Sequence, residues 1–227
     1  MKLKEKKAVF FDLDHTLWDF EKNSALTFQV ILQKHNVEVD IDMFIENYIP
    51  INLKYWKMYR GGHISQQELR YNRLKEAFVT VGCDVEDIII DKLWEDYIAL
   101  LPTYNHLYEG TVEILEYLRP NYSLHIITNG VQEIAKLKNA DIYHYFDTIT
   151  NSEQAGCKKP DAKIFEYALK IANVEKNTGV MIGDCIEADV QGALDCGLDA
   201  IYFNENKLAV KEGIPQVHHL LELKNFL

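Results

Sequence analysis

The run Ala8-Val9-Phe10-Phe11 passes directly into Asp12-Leu13-Asp14-His15-Thr16, four apolar residues giving way to two carboxylates and a hydroxyl. A short unbroken apolar run is the pattern of a strand buried on both faces, and here its C-terminal end opens on polar chemistry. The pattern returns in the second half of the chain. Apolar runs at 123–128, 148–150, 179–182 and 200–203 alternate with helical spacing at 111–118, 131–140, 161–171 and 187–195. Strands separated by amphipathic helices predict a doubly wound α/β domain, in which a parallel sheet is covered on both faces and binds ligands at the carboxyl ends of its strands. A polar loop is expected over 204–215 and a closing helix over 218–226.

Between residues 23 and 100 the β-branched clusters vanish and helical spacing takes over, which predicts an inserted all-α unit. Helices are expected over 24–35 and 40–60. Pro50 should kink or split the second, because it has no N–H to donate, and Gly61-Gly62 should stop it. Ser65-Gln66-Gln67-Glu68 has the Ser-x-x-Glu form of a capping box and starts a third helix to about Val81, with Gly82 as its stop. Asp84 is expected to cap a fourth, ending near Leu101-Pro102. The division that follows is a core of residues 1–19 and 102–227 and a four-helix cap of residues 20–101. The joins at 19–22 and 101–104 are the expected hinges.

The 227 residues include 24 Lys and Arg against 35 Asp and Glu, a net charge of −11. That sign is wrong for general attraction to a nucleic-acid polymer or an anionic membrane surface, so a phosphate ligand must be gripped locally. No apolar run approaches the roughly 20 residues needed to span a bilayer. The basic start, Met1 to Lys7, leads into an apolar run cut short by Asp12, and no export signal is read there. Cys83, Cys157, Cys185 and Cys196 form no Cys-x-x-Cys pair, so neither a disulfide framework nor a zinc cluster is expected. These readings predict a cytoplasmic protein that acts on a small molecule.

Polar residues gather at the predicted strand ends. Asp12, Asp14 and Thr16 follow the first strand, Thr128-Asn129-Gly130 the second, Lys158-Lys159-Pro160 the third, and Gly183-Asp184 with Asp189 the fourth. In a parallel sheet these ends converge on one crevice. Carboxylates from two strands can hold a hard cation there, and Mg²⁺ typically takes one or two carboxylates, waters and a phosphate oxygen. A threonine hydroxyl and a lysine ammonium supply compact phosphate contacts, and Asn129 and Gly130 at a helix start would add N–H donors.

These residues resemble the haloacid dehalogenase superfamily, specifically its phosphatases. The family's Asp-x-Asp-x-Thr stands here as Asp12-Leu13-Asp14-His15-Thr16, its second motif as Thr128, its third as Lys159 before Pro160, and its fourth as Gly183-Asp184 followed by Asp189. The long gap between the first two is what a cap inserted after the first strand would produce. The resemblance implies that Asp12 is the nucleophile, forming an aspartyl-phosphate, and that Asp14 is the acid and base. It implies Mg²⁺ held by Asp12, the backbone carbonyl of Asp14 and Asp184, with Asp189 a direct or water-mediated ligand. Thr128 and Lys159 would neutralise the transferring group's oxygens.

A finer likeness joins Asp12 to Asp19, the Trp56-x-x-Tyr59-Arg60-x-Gly62 stretch and Ile126-Ile127-Thr128-Asn129-Gly130 to the bacterial branch of pyrimidine and non-standard 5′-nucleotidases with helical caps. It implies a Mg²⁺-dependent phosphomonoesterase acting on nucleoside 5′-monophosphates. A phosphosugar phosphatase or mutase of the same superfamily stays open as an alternative, and a receiver-like phosphate sensor is a third. Taken singly, Asp12 reads as a strand-end cap, Thr128 as a strand residue and Lys159 as a solvated charge; their joint order is what gives them chemistry. His15 is expected to point away from Asp12 and Asp14, Cys185 to pack, and Asp195 to be an exposed helix charge. Tyr48, Tyr55, Trp56 and Tyr59 are expected in the cap core. Phe20, Asn23, Trp56 and Arg60 are candidate substrate contacts, because the cap is expected to face the crevice.

Overall fold

The computed structural model describes residue 3, residues 5–210 and residues 213–227. Met1, Lys2 and Lys4 of the basic start, and Lys211 and Glu212 of the expected loop, lie outside the described residues. Among the described residues, β1 (Ala8–Phe11), β2 (Ser123–Thr128), β3 (Thr148–Asn151), β4 (Gly179–Gly183), β5 (Asp199–Phe203) and β6 (Gln216–Val217) form one sheet. Every pairing is parallel and the order is β3-β2-β1-β4-β5-β6. The chain builds outward from β1 through β2 to β3, then returns to β4 on the other side of β1. That reversal opens a crevice at the carboxyl ends of β1 and its neighbours, the place such a sheet offers to a ligand. All four residues of β1 are buried, as its apolar run requires.

Two compact units divide the chain, Met1–Phe20 with Asn105–Leu227, and Glu21–Tyr104. Helices α1 (Phe20–Lys34), α2 (Ile41–Arg60), α3 (Gln66–Thr80) and α4 (Asp87–Leu100) supply the second unit. Phe28, Phe44, Tyr48, Phe78 and Tyr97 fill its core, with the Phe28 and Tyr48 ring centroids 4.7 Å apart. Arg73 is buried among them. Its guanidinium donates to Asn52 Oδ1 at 2.6 Å and lies 5.0 Å from the Trp94 ring, a cation–π contact that offsets part of the cost of burying the charge. The capping box forms as expected: Glu68 N donates to Ser65 Oγ and Ser65 N to Glu68 Oε2.

Three expectations for this unit are corrected. Of the kink or split expected at Pro50, the split does not occur: α2 runs unbroken through it, with Tyr48, Ile51 and Asn52 around it buried. Asp84 does not cap α4: burial of Val85 draws the chain on to Glu86 before the helix begins, and Asp87 in its first turn pairs with Tyr71 and Lys75 of α3. Of the four aromatics expected in the core, only Tyr48 is buried; Tyr55, Trp56 and Tyr59 are half-exposed.

In the sheet unit, α5 (Thr111–Leu118), α6 (Glu133–Asn139), α7 (Ser152–Ala155), α8 (Ala162–Ala172) and α9 (Gly192–Cys196) join the strands. Phe10, Ile127, Ile164, Phe165, Met181 and Val190 share one core cluster. The helix expected over 187–195 divides into a π-helical turn, Ile186–Gln191, and α9. The helix expected from residue 131 starts two residues later, after Gln132 in the left-handed conformation. β6 pairs with β5 just past the expected loop, and the closing helix is a 3₁₀ segment, Leu220–Asn225. No helix among the described residues is long and apolar enough to cross a membrane.

Candidate active site

Asp12 leaves β1 at its carboxyl end, where its N–H donates to the Ile182 carbonyl of β4 at 2.9 Å, so strand pairing fixes the point from which the side chain starts. Its Oδ1 lies 2.6 Å from Lys159 Nζ. The same ammonium sits 2.7 Å from Asp189 Oδ1 and donates to the Ile127 carbonyl at 2.7 Å. Asp189 comes from the π-helical turn after β4, and its Oδ2 accepts the Cys185 N–H at 2.9 Å. Gly183 makes room for it, because a Cβ there would overlap the Asp189 carboxylate. Asp184 accepts from Thr16 Oγ1 at 3.4 Å. One ligand atom each from Asp12, Asp184 and Asp189 fall within 4.8 Å of one another.

Two of these three carboxylates, Asp12 and Asp189, therefore share one ammonium. Burial raises the Asp12 carboxyl above its usual range; Lys159 opposes the shift, while Asp189 and Asp14 reinforce it. Burial also pushes Asp184 well up, with Asp189 and Asp12 acting in the same direction. Burial alone would lower Lys159, but Asp12 and Asp189 outweigh it and hold the ammonium charged. Surplus negative charge in a dry site is costly until a cation shares it. The all-oxygen donor set and that surplus fit a hard divalent ion.

Asp14 stands apart from this cluster. Both its carboxylate oxygens are taken by Lys136 Nζ, at 2.6 and 2.8 Å. No sequence reading singled out Lys136. Its ammonium lies 4.5 Å from the Trp18 ring centroid and 5.6 Å from that of Phe20, and its side chain is 3% exposed. Glu133 and Lys136 are buried on α6 while Ile134 is exposed, whereas their i,i+3 spacing by itself reads as a solvated pair of opposite charges. His15 has φ 65°, lies against Phe20 at 4.8 Å between ring centroids, and is pushed down to about 4 by burial, so it is neutral near pH 7.

Thr128 is buried, and its Oγ1 accepts the Gly130 N–H at 3.0 Å. Asn129 clamps the backbone of Lys159, accepting its N–H at 2.7 Å and donating to its carbonyl at 2.9 Å. With α6 starting at Glu133, Asn129 and Gly130 do not sit at a helix N-terminus as expected, and the Gly130 N–H is already engaged. Phe20 belongs to the sheet unit. Asn23, Trp56 and Arg60 belong to the helical unit, Asn23 fully buried and Trp56 paired edge-to-face with Tyr59 at 5.8 Å.

A strand-end carboxylate inside a cation-ready cluster, with a second carboxylate held outside it, is an arrangement suited to covalent transfer of an anionic group. Residues 6–197 match the family model described as haloacid dehalogenase-like hydrolase. The chain is 32% identical to pyrimidine 5′-nucleotidase PynA of Streptococcus pneumoniae, over 89% of this chain and 85% of that one. It is 30% identical to pyrimidine 5′-nucleotidase YjjG of Escherichia coli, over 96% of each. A magnesium-bound crystal structure of the HAD-hydrolase YfnB of Bacillus subtilis superposes with a TM-score of 0.87 at 25% identity, covering 98% of both chains. With the motif residues ordered along the sheet and most of the chain matched, this protein belongs to the haloacid dehalogenase-like hydrolases.

Proposed function

We propose that the chain hydrolyses phosphomonoesters with Mg²⁺ through an aspartyl-phosphate on Asp12, and that nucleoside 5′-monophosphates are its preferred substrates. The observation that carries this is the division of labour between two acids two residues apart. Asp12 sits in the cluster with Asp184 and Asp189, and Asp14 is held away from it on Lys136. The two relatives named as pyrimidine 5′-nucleotidases support the substrate class.

In the first step an Asp12 oxygen attacks phosphorus in line, the bond to the leaving ester oxygen breaks, and that oxygen takes a proton from Asp14. The proton arrives with the substrate's phosphate monoanion, which passes it to the resting Asp14 carboxylate. In the second step Asp14 takes a proton from water, the water oxygen attacks phosphorus, and the Asp12–phosphorus bond breaks; the proton then leaves with the product as the phosphate monoanion, which returns Asp14 to its starting state. Asp12, Asp184 and Asp189, with the Asp14 carbonyl, would hold Mg²⁺. When bound, the ion shields the negative charge of phosphate and nucleophile from each other. Thr128 and Lys159 face the transferring oxygens, with Asn129 holding the Lys159 backbone in place.

Phosphate release from a panel of nucleotides, sugar phosphates and small phosphoesters, with Mg²⁺ and with chelator, tests this reading. Mg²⁺-dependent release led by nucleoside monophosphates is the expected result. Preference for a sugar phosphate would overturn the substrate class and keep the chemistry; no release from any ester would overturn both.

A further inference from the structure

Lys136 is a lysine buried against two aromatic rings, with the Asp14 carboxylate as its ion-pair partner, on a helix whose other buried charge, Glu133, is bonded to Asn151 at the end of β3. Exchanging such a pair for apolar side chains is often neutral or stabilising, so fold stability alone is a weak reason for it. Its geometry is specific. Nζ bridges both oxygens of Asp14, which fixes the plane of the carboxylate as well as its position. On another side Gly130 leaves the space open: a Cβ there would stand 2.8 Å from Asp14 Oδ2. The Lys136 ammonium is in turn held by the face of Trp18, which is fully buried. Asp14 is thus confined between a residue that binds it and a residue that lacks the atoms to obstruct it.

We propose that Lys136 is a positioning residue for Asp14, orienting its carboxylate so that one oxygen lies on the path of the leaving-group proton. The proposal rests on the reading of Asp14 as the acid. A carboxylate free to rotate, or free to swing toward the cation cluster formed by Asp12, Asp184 and Asp189, would deliver its proton in only a fraction of encounters. Misplacement of about 1 Å can cost on the order of 100-fold in rate. The loss should depend on the leaving group. An alkoxide leaving from a nucleoside 5′-monophosphate needs the proton; a nitrophenolate leaving from p-nitrophenyl phosphate needs it far less.

The test is kcat/KM for both esters at one pH and saturating Mg²⁺, in Lys136→Met, which removes the charge and keeps an unbranched apolar side chain, and Lys136→Arg, which keeps a charged partner for Asp14. Asp14→Asn is measured alongside, and far-UV circular dichroism checks folding. For Lys136→Met the nucleoside monophosphate should lose at least ten times more than the aryl ester, mainly in kcat. Lys136→Arg should recover part of that difference. Equal losses on both esters, or no loss on either, would overturn the role of Lys136. If Asp14→Asn keeps full activity on the nucleoside monophosphate, the underlying reading of Asp14 fails. If Asp14→Asn shows the leaving-group dependence and Lys136→Met does not, only the Lys136 proposal fails. Should Lys136→Met not fold, the ratio measured in Lys136→Arg decides: a leaving-group dependence intermediate between the native protein and Asp14→Asn supports the proposal, and an unchanged ratio overturns it.

Discussion

Lys159 Nζ bridges Asp12 Oδ1 at 2.6 Å and Asp189 Oδ1 at 2.7 Å, with 2% of the lysine side chain exposed. One ammonium thereby links the end of β1 to the turn after β4 and neutralises part of a site that would otherwise hold only carboxylates. Replacing it with Met should leave two buried acids without their cation, a change that costs about 3–5 kcal/mol when one partner of a buried pair is removed. Chemical denaturation of the metal-free Lys159→Met protein should show a loss of that order, part of it restored by Mg²⁺. Catalysis should fall by about 10²–10³, the range for losing one preorganised charge contact. A variant as stable without the metal as the native protein would contradict this.

Gly183 ends β4 where any side chain would overlap Asp189. Gly183→Ala is expected to displace that carboxylate, lowering stability by about 1–3 kcal/mol, the range for overpacking, and weakening Mg²⁺ binding at the same time. Isothermal titration with Mg²⁺ reads the second effect. Unchanged affinity would remove Asp189 from the cation site.

His125 lies on β2, buried, bonded to Thr148 Oγ1 and Ser123 Oγ and stacked on Phe10 at 4.7 Å. Burial holds it down to about 4 against an ordinary value of 6.5. Between these values the unfolded chain binds more protons than the folded one, so the contribution is intact above pH 6.5 and is lost as pH falls toward 4. The difference amounts to about 3 kcal/mol at most. His125→Asn should flatten the stability profile across pH 4–6.5 relative to the native protein; an unchanged slope would rule the residue out as a source of acid lability.

Much of this molecule could be read before the coordinates. The step from Phe11 to Asp12 was legible because four apolar residues mark a buried strand and the polar residues that follow them recur at the ends of three later strands. The Ser65 and Glu68 box was legible because its two hydrogen bonds are local, closing within three residues. What escaped depended on distant parts of the chain. Asp84 carries the right side chain for a cap, but burial of Val85 decided where α4 begins. Pro50 is a helix breaker by local rules, yet the buried residues around it keep α2 continuous. Lys136 reads as a solvated helix charge until its partner, 122 residues earlier, is placed beside it. β6 is two residues long, too short to show a period, and exists because β5 has a free edge beside it.

In the proposed mechanism Asp12 carries the phosphoryl group. Acid quench of the enzyme during turnover of a nucleoside 5′-monophosphate with Mg²⁺, followed by peptide mass spectrometry, measures it most directly. One phosphate is expected on the peptide containing Asp12, absent in Asp12→Asn, which should fold normally and lose activity by at least about 10³-fold. Phosphate release without any label at Asp12, or full activity in a folded Asp12→Asn protein, would contradict it.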